Sequence, residues 1–327
     1  MAPAGLLLAA LLVGNPSSAT NAPAADQTPP PWAFAVNPVD ATPATPAAAP
    51  DPTFLQVPGS AARFTRAQAS DYFNVPDWHP DGHPAMPDVV AHGRAPDVIA
   101  CGYCHLPNGQ GRPENSGIAG LPASYIVQQL KDFAGGKRHS SEPLHKPAAL
   151  MTALAGQVST ADIRAAADYF SRLKARPWIR VVEAATVPRT RVAGWMLVPT
   201  DDGTQEPIGQ RIIEMAENLQ QTELRDDASG FVAYVPPGSI AQGKLLVTTG
   251  GGGKTSPCGS CHGPHLKGLG TAPHLAGRSP SYLVRQLFDI QHGARHSAAV
   301  MLMKANIVNL TLDDMLAIAA YTASLDP

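Results

Sequence analysis

The chain contains four cysteines, and all four fall into two copies of one pattern: Cys101-Gly102-Tyr103-Cys104-His105 and Cys258-Gly259-Ser260-Cys261-His262. Two thiols at this spacing can reach the two vinyl groups on one edge of a porphyrin, while the next residue turns an imidazole beneath the iron. The pattern therefore reads as two covalently attached haem c groups. Cys101, Cys104, Cys258 and Cys261 make the thioether bonds, and His105 and His262 are the proximal iron ligands. Paired CxxC motifs can also hold zinc, and a single one can be a redox dithiol. Neither alternative explains the histidines. Zinc ribbons also separate their cysteine pairs by about 15–20 residues, whereas these pairs lie more than 150 residues apart. No cysteine remains for a disulfide or a thiolate axial ligand.

The elements that must position these groups show up as an internal repeat. Ser124-Tyr125-Ile126-Val127-Gln128-Gln129-Leu130 corresponds to Ser281-Tyr282-Leu283-Val284-Arg285-Gln286-Leu287. The same offset carries His105 onto His262, Gly111 onto Gly268, Asp132 onto Asp289, and Gly136-x-Arg138-His139-Ser140 onto Gly293-x-Arg295-His296-Ser297. The chain holds two copies of one domain. Late in each copy Ser159 and Thr311 occupy helix N-cap positions with Asp162 and Asp314 three residues on, which predicts two amphipathic helices covering their own domains.

Counting back the same number of residues from those caps reaches Met151 and Met303. A thioether is a soft, uncharged donor that favours ferrous iron, so both methionines are candidate sixth ligands; the alternative is core filler. Met301 is a local rival to Met303, and the repeat-equivalent His139 and His296 are rivals at both sites. Arg138 and Arg295 could pair with haem propionates through charge-assisted hydrogen bonds, or be solvated cations at helix ends. His79, His83, His92, His145, His265, His274 and His292 have no counterpart in the repeat and are expected at the surface.

Length and composition bound the rest. A chain of 327 residues, 44% hydrophobic, is enough for two small domains plus connecting material. A net charge of −2 gives no general attraction to nucleic acid or an anionic membrane. Lys131, Lys137, Arg138 and Lys146 form a local basic stretch that could dock an acidic partner or be merely solvated. The run Leu6–Val13 is too short to span a bilayer; with Ser17 and Ala19 ahead of a cleavage point it reads as a signal peptide over 1–19, without the usual basic n-region. Residues 20–58, rich in Pro and Ala, are expected to form a disordered or weakly docked tether. The domains then run 59–175 and 237–327. The intervening 176–236 carries the β-prone runs Trp178–Val182, Gly194–Val198 and Phe231–Val235, which could form hairpins wrapping a haem face or the domain interface; Met196 and Met215 within it are stand-in ligands at most.

The order Cys-x-x-Cys-His, Gly-rich loop, Ser-Tyr with Gln-Leu, Gly-x-Arg and a Met before a capped helix resembles the class I dihaem cytochromes c, particularly cytochrome c4, over roughly Pro87–Lys174 and Pro237–Pro327. The resemblance implies a mainly α fold of two cytochrome c-like domains, two haem c groups, and axial pairs His105/Met151 and His262/Met303. It implies a periplasmic one-electron carrier, not an enzyme, working between a dehydrogenase or quinol-oxidising complex and a terminal acceptor. Its partners are then redox proteins, with no nucleic acid and no integral membrane span after signal removal; peripheral attachment to a membrane complex stays open. Two other functions fit two attachment motifs: a dihaem peroxidase, which needs one open iron position, and the cytochrome subunit of a periplasmic dehydrogenase. The Pro-rich leader and the 176–236 segment depart from the family pattern.

Overall fold

The computed structural model describes residues 28–38 and 51–327; the signal-peptide reading of 1–19 lies outside them. Around the first attachment motif, β1 (Phe54–Leu55) pairs antiparallel with β2 (Phe64–Thr65), followed by the short α1 (Arg66–Ala69) and α2 (Asp88–Ala91). The motif itself is α3 (Cys101–His105), followed by α4 (Ala123–Ala134), α5 (Lys146–Ala155) and α6 (Thr160–Arg172). Ser159 accepts from the Asp162 amide at the start of α6. That helix buries Ala166, Ala167, Tyr169 and Phe170 against Val89, Val90 and Ile126 of α2 and α4. Removing these side chains from water is the main favourable term holding the three helices together.

The second copy repeats the scheme with α8 (Ser239–Thr249), the motif helix α9 (Gly259–His262), α10 (Pro280–Gln291), α11 (Ala298–Ile307) and α12 (Leu312–Ala323). Thr311 and Asp314 form a reciprocal capping box on α12. α12 lies so close to α8 that a Cβ on Gly243 would come within 1.9 Å of the Ala317 carbonyl oxygen. Only glycine permits that approach.

Residues 176–236 form a β-unit, with strands on the β-prone runs. β3 (Ile179–Glu183) pairs parallel with β9 (Phe231–Val235), which pairs antiparallel with β8 (Ile213–Ala216). Flanking ladders join β4 (Thr186–Pro188) to β7 (Gln205–Pro207) and β5 (Thr190–Ala193) to β6 (Met196–Pro199). The short α7 (Leu219–Glu223) precedes β9. The unit braces both copies. Toward the first, Asn108 Nδ2 donates to the Asp227 carbonyl at 2.5 Å and Gln110 Nε2 to that of Ser229 at 2.9 Å. Toward the second, the buried Glu214 carboxylate accepts from Ser279 Oγ at 2.8 Å and from the Ser281 amide at 3.2 Å, at the start of α10.

The tether expectation fails for the described part of 20–58. Phe34 is 2% exposed and sits in the core of the second copy. Its ring meets those of Phe288 and His145 edge-on, at 5.7 and 5.9 Å. Arg285 Nη1 donates to the Ala33 carbonyl at 2.6 Å, and Asn37 Oδ1 accepts from the Trp195 amide. A Pro- and Ala-rich composition hides this anchoring because the large apolar side chains that dock, Phe34 and the partly buried Trp32, are few. Among the described residues no helix is long and apolar enough to cross a membrane.

Candidate functional site: two haem-attachment centres

The two motifs use one local geometry. His105 Nδ1 donates to the Ser116 carbonyl at 2.8 Å and His262 Nδ1 to the Pro273 carbonyl at 2.9 Å. These acceptors are repeat-equivalent, each eleven residues after its histidine. A proton fixed on Nδ1 leaves the Nε2 lone pair free for a metal and orients the ring. Burial pulls both imidazoles below their ordinary pKa, which keeps them neutral and ligand-competent. Burial also pushes the Cys101 thiol up to about 12 and Cys258 up to about 11. Cys101 packs on the core of the first copy and Cys258 on that of the second, so the four cysteines do not meet in one zinc site.

A largely apolar cavity opens beside the first motif, and Cys101, Cys104, His105 and Met151 all line it. His145 and Glu114 line it too. Both ring nitrogens of His145 and Glu114 Oε2 are buried there without hydrogen-bond partners. An apolar cavity that holds two thiols and an imidazole, with unpartnered polar atoms on its wall, fits a haem. In the second copy Met303 is partly buried against the core while Met301 is 50% exposed. Met196 and Met215 are buried within the β-unit, where Met215 fills a core with Val187, Ile208 and Ile213.

Arg138 and Arg295 are not solvated at helix ends. Both are buried, and the backbones around them pair antiparallel across the interface between the copies. Arg138 donates to Gln129 at 2.8 Å, Gln286 at 3.0 Å and Tyr282 at 3.2 Å. Arg295 reciprocates to Gln286 at 3.0 Å and Gln129 at 2.8 Å. Two glutamine carbonyls thus bridge two guanidiniums. Arg138 also reaches the first cavity, and its burial removes it from the exposed basic stretch formed by Lys131, Lys137 and Lys146. His139 and His296 face each other at the same seam, ring centroids 6.4 Å apart and both exposed.

The surface expectation holds for His92 and His265 and fails elsewhere. His145 is 4% exposed and is pulled down to about 3 by burial, with Arg285 adding to the effect. His274 is likewise pulled down to about 3 by burial, then by Arg278. His83 lies under Tyr169, and His292 stacks on Phe288 at 3.9 Å. His145 escapes a repeat search because the first copy has eleven residues from Ser140 to Met151 where the second has six from Ser297 to Met303. The Ser116 and Pro273 acceptors escape it because any residue type supplies a carbonyl; their shared spacing from the motif is the signal that would have found them.

Fold and centres together define a dihaem c-type cytochrome of class I, with two covalently bound haem c groups. Within that class the chain resembles cytochrome c4. It is 32% identical over 118 residues to cytochrome c4 of Pseudomonas aeruginosa, a match covering 33% of this chain and 59% of the relative. It is 30% identical over 139 residues to cytochrome c4 of Azotobacter vinelandii, covering 38% and 66%. The thiosulfate dehydrogenase electron acceptor of Thiomonas intermedia aligns over 234 residues at 26% identity, 70% of this chain and 80% of that protein. Among solved structures, cytochrome c4 of Acidithiobacillus ferrooxidans superposes with a TM-score of 0.43 at 21% identity, covering 69% of this chain and 98% of that one. No family model matches the chain.

Proposed function

We propose that this dihaem cytochrome carries electrons one at a time in the periplasm, receiving them from a dehydrogenase. The reading rests above all on one observation: the same proximal anchor, His Nδ1 to a backbone carbonyl, recurs in both copies. Two centres held alike suit two low-spin irons, whereas a peroxidase must leave one position open. In this reading Cys101, Cys104, Cys258 and Cys261 bond the haems, His105 and Met151 ligate the first iron, and His262 and Met303 the second. Arg138, which lines the first cavity, would offer positive charge to a propionate of the first haem, and its repeat equivalent Arg295 would do so in the second copy. When bound, the haems supply the one-electron couple; the protein supplies ligands, orientation and a dry surround. The domains are 59–175 and 237–327, with 176–236 holding both.

The alignment with thiosulfate dehydrogenase electron acceptors over most of their length favours one donor, a sulfur-oxidising dehydrogenase. A second reading, the tightly bound cytochrome subunit of such an enzyme, rests on the same alignments. Mixing the oxidised protein with such a dehydrogenase and its substrate tests the reading. Reduction of both haems, with no peroxide turnover by the cytochrome alone, is expected. Peroxide turnover with one haem staying high-spin would contradict it.

A further inference from the structure

The β-unit brings Asp226 and Asp227 against His79 of the first copy, with one potential ligand atom of each residue within 4.8 Å of the others. His79 Nε2 lies 2.9 Å from Asp226 Oδ1. Asp226 is 3% exposed and Asp227 4%. Asp227 Oδ1 has no hydrogen-bond partner at all. A carboxylate oxygen this deep without a donor loses its hydration for nothing in return, at a cost of about 1–3 kcal/mol, more if it is charged. Asp77, bonded to His83 Nε2 at 3.2 Å, adds a third carboxylate to the neighbourhood. Burial pushes Asp227 up to about 6, with His79 and His83 opposing that rise. The cluster is therefore short of positive charge. Beside it lies a cavity of about 480 Å³ that His79, Asp227, Asn108 and Gln110 help to line, large enough for several waters.

The geometry points to a divalent-cation site in which His79 Nε2 and one carboxylate oxygen each from Asp226 and Asp227 hold a zinc-type ion, with a cavity water as fourth ligand. One imidazole and two carboxylates is a donor set that zinc accepts, and two carboxylates neutralise its charge. His79 belongs to the first copy and both aspartates to the β-unit, so the ion staples one to the other. The staple sits on the loop directly after His105: Asn108 donates to the Asp227 carbonyl, and Tyr169 Oη, which contacts His83, donates to the Pro107 carbonyl at 2.7 Å. An added positive charge there favours the ferrous form of the first haem and leaves the second unchanged.

The test uses the dihaem holoprotein after chelation and dialysis, titrated with Zn²⁺ by calorimetry, with metal content counted against two irons per chain. Wild type is expected to take one zinc and gain thermal stability. Asp227→Asn and His79→Gln, checked for unchanged haem spectra, should each weaken that binding by about tenfold or more and abolish the stabilisation. If Asp227→Asn fails to load haem, His79→Gln alone carries the comparison. No zinc uptake, or the same affinity in a folded variant, would overturn the site, the second outcome placing zinc on exposed histidines such as His139 and His296. Uptake of Ca²⁺ in preference to Zn²⁺ would overturn the role of His79.

Discussion

The two copies share a motif, an anchor and a helix order, yet their surroundings differ. In the first, α4 buries only Ile126, Asp132 and Phe133. In the second, α10 is buried along nearly its whole length, under α12, β8 and Phe34 of the N-terminal segment. The first centre has charged neighbours, including the buried Arg112–Glu114 pair and the carboxylates around His79 and His83. If both irons take the proposed His/Met pair, unequal surroundings give unequal potentials. Ferrous haem carries less charge than ferric, so burial and nearby charge act on each potential, and they differ between the centres: Cys261 of the second motif is exposed whereas both cysteines of the first are partly buried. The repeat fixes the chemistry, and the non-repeated parts of the chain set its two values.

The largest effect separates the copies outright. Replacing Cys101 and Cys104 together by Ala should leave one haem per chain by pyridine haemochrome assay, and so should the Cys258/Cys261 pair. The two variants should titrate at different potentials; equal potentials would break the comparison. Next comes Phe34→Ala, which removes the ring bridging Phe288 and His145. By chemical unfolding it should cost about 3 kcal/mol, with the transition of the second copy moving and that of the first changing less.

His145, present only in the first copy, predicts a pH effect. Its folded pKa is depressed to about 3 from 6.5, so it binds fewer protons folded than unfolded. The stability it contributes is present above pH 6.5 and lost as the pH falls toward 3. Thermal melts of the holoprotein should decline below pH 6.5, and His145→Phe should flatten the decline. The smallest effect tests where the copies are alike: Ser159→Ala and Thr311→Ala each remove an N-cap and should each cost about 1 kcal/mol, with Thr311 the more costly because its capping box is reciprocal.

Much of this was legible in the sequence wherever the signal is local or repeated. The attachment motifs, the caps at Ser159 and Thr311 and the runs that become β3, β6 and β9 are short-range patterns. What stayed hidden depends on contacts between distant residues. The parallel pairing of β3 with β9 joins strands separated by the rest of the β-unit. Phe34 docks on Phe288, and His79 meets Asp226 across the length of the first copy. Arg138 and Arg295 were found by their repeat, but their true partners, Gln129 and Gln286, are shared between copies, which a repeat aligned against itself does not show.

The central claim is that both centres are six-coordinate His/Met haems. It is tested most directly by an optical redox titration of the haem-loaded protein, watching the ferric sulfur-to-iron charge-transfer band and exposing the reduced form to carbon monoxide. The account predicts the band from two low-spin haems, two separable one-electron steps and no carbon monoxide binding. A haem that lacks the band and binds carbon monoxide would contradict it, and would make that copy a catalytic or sensing site.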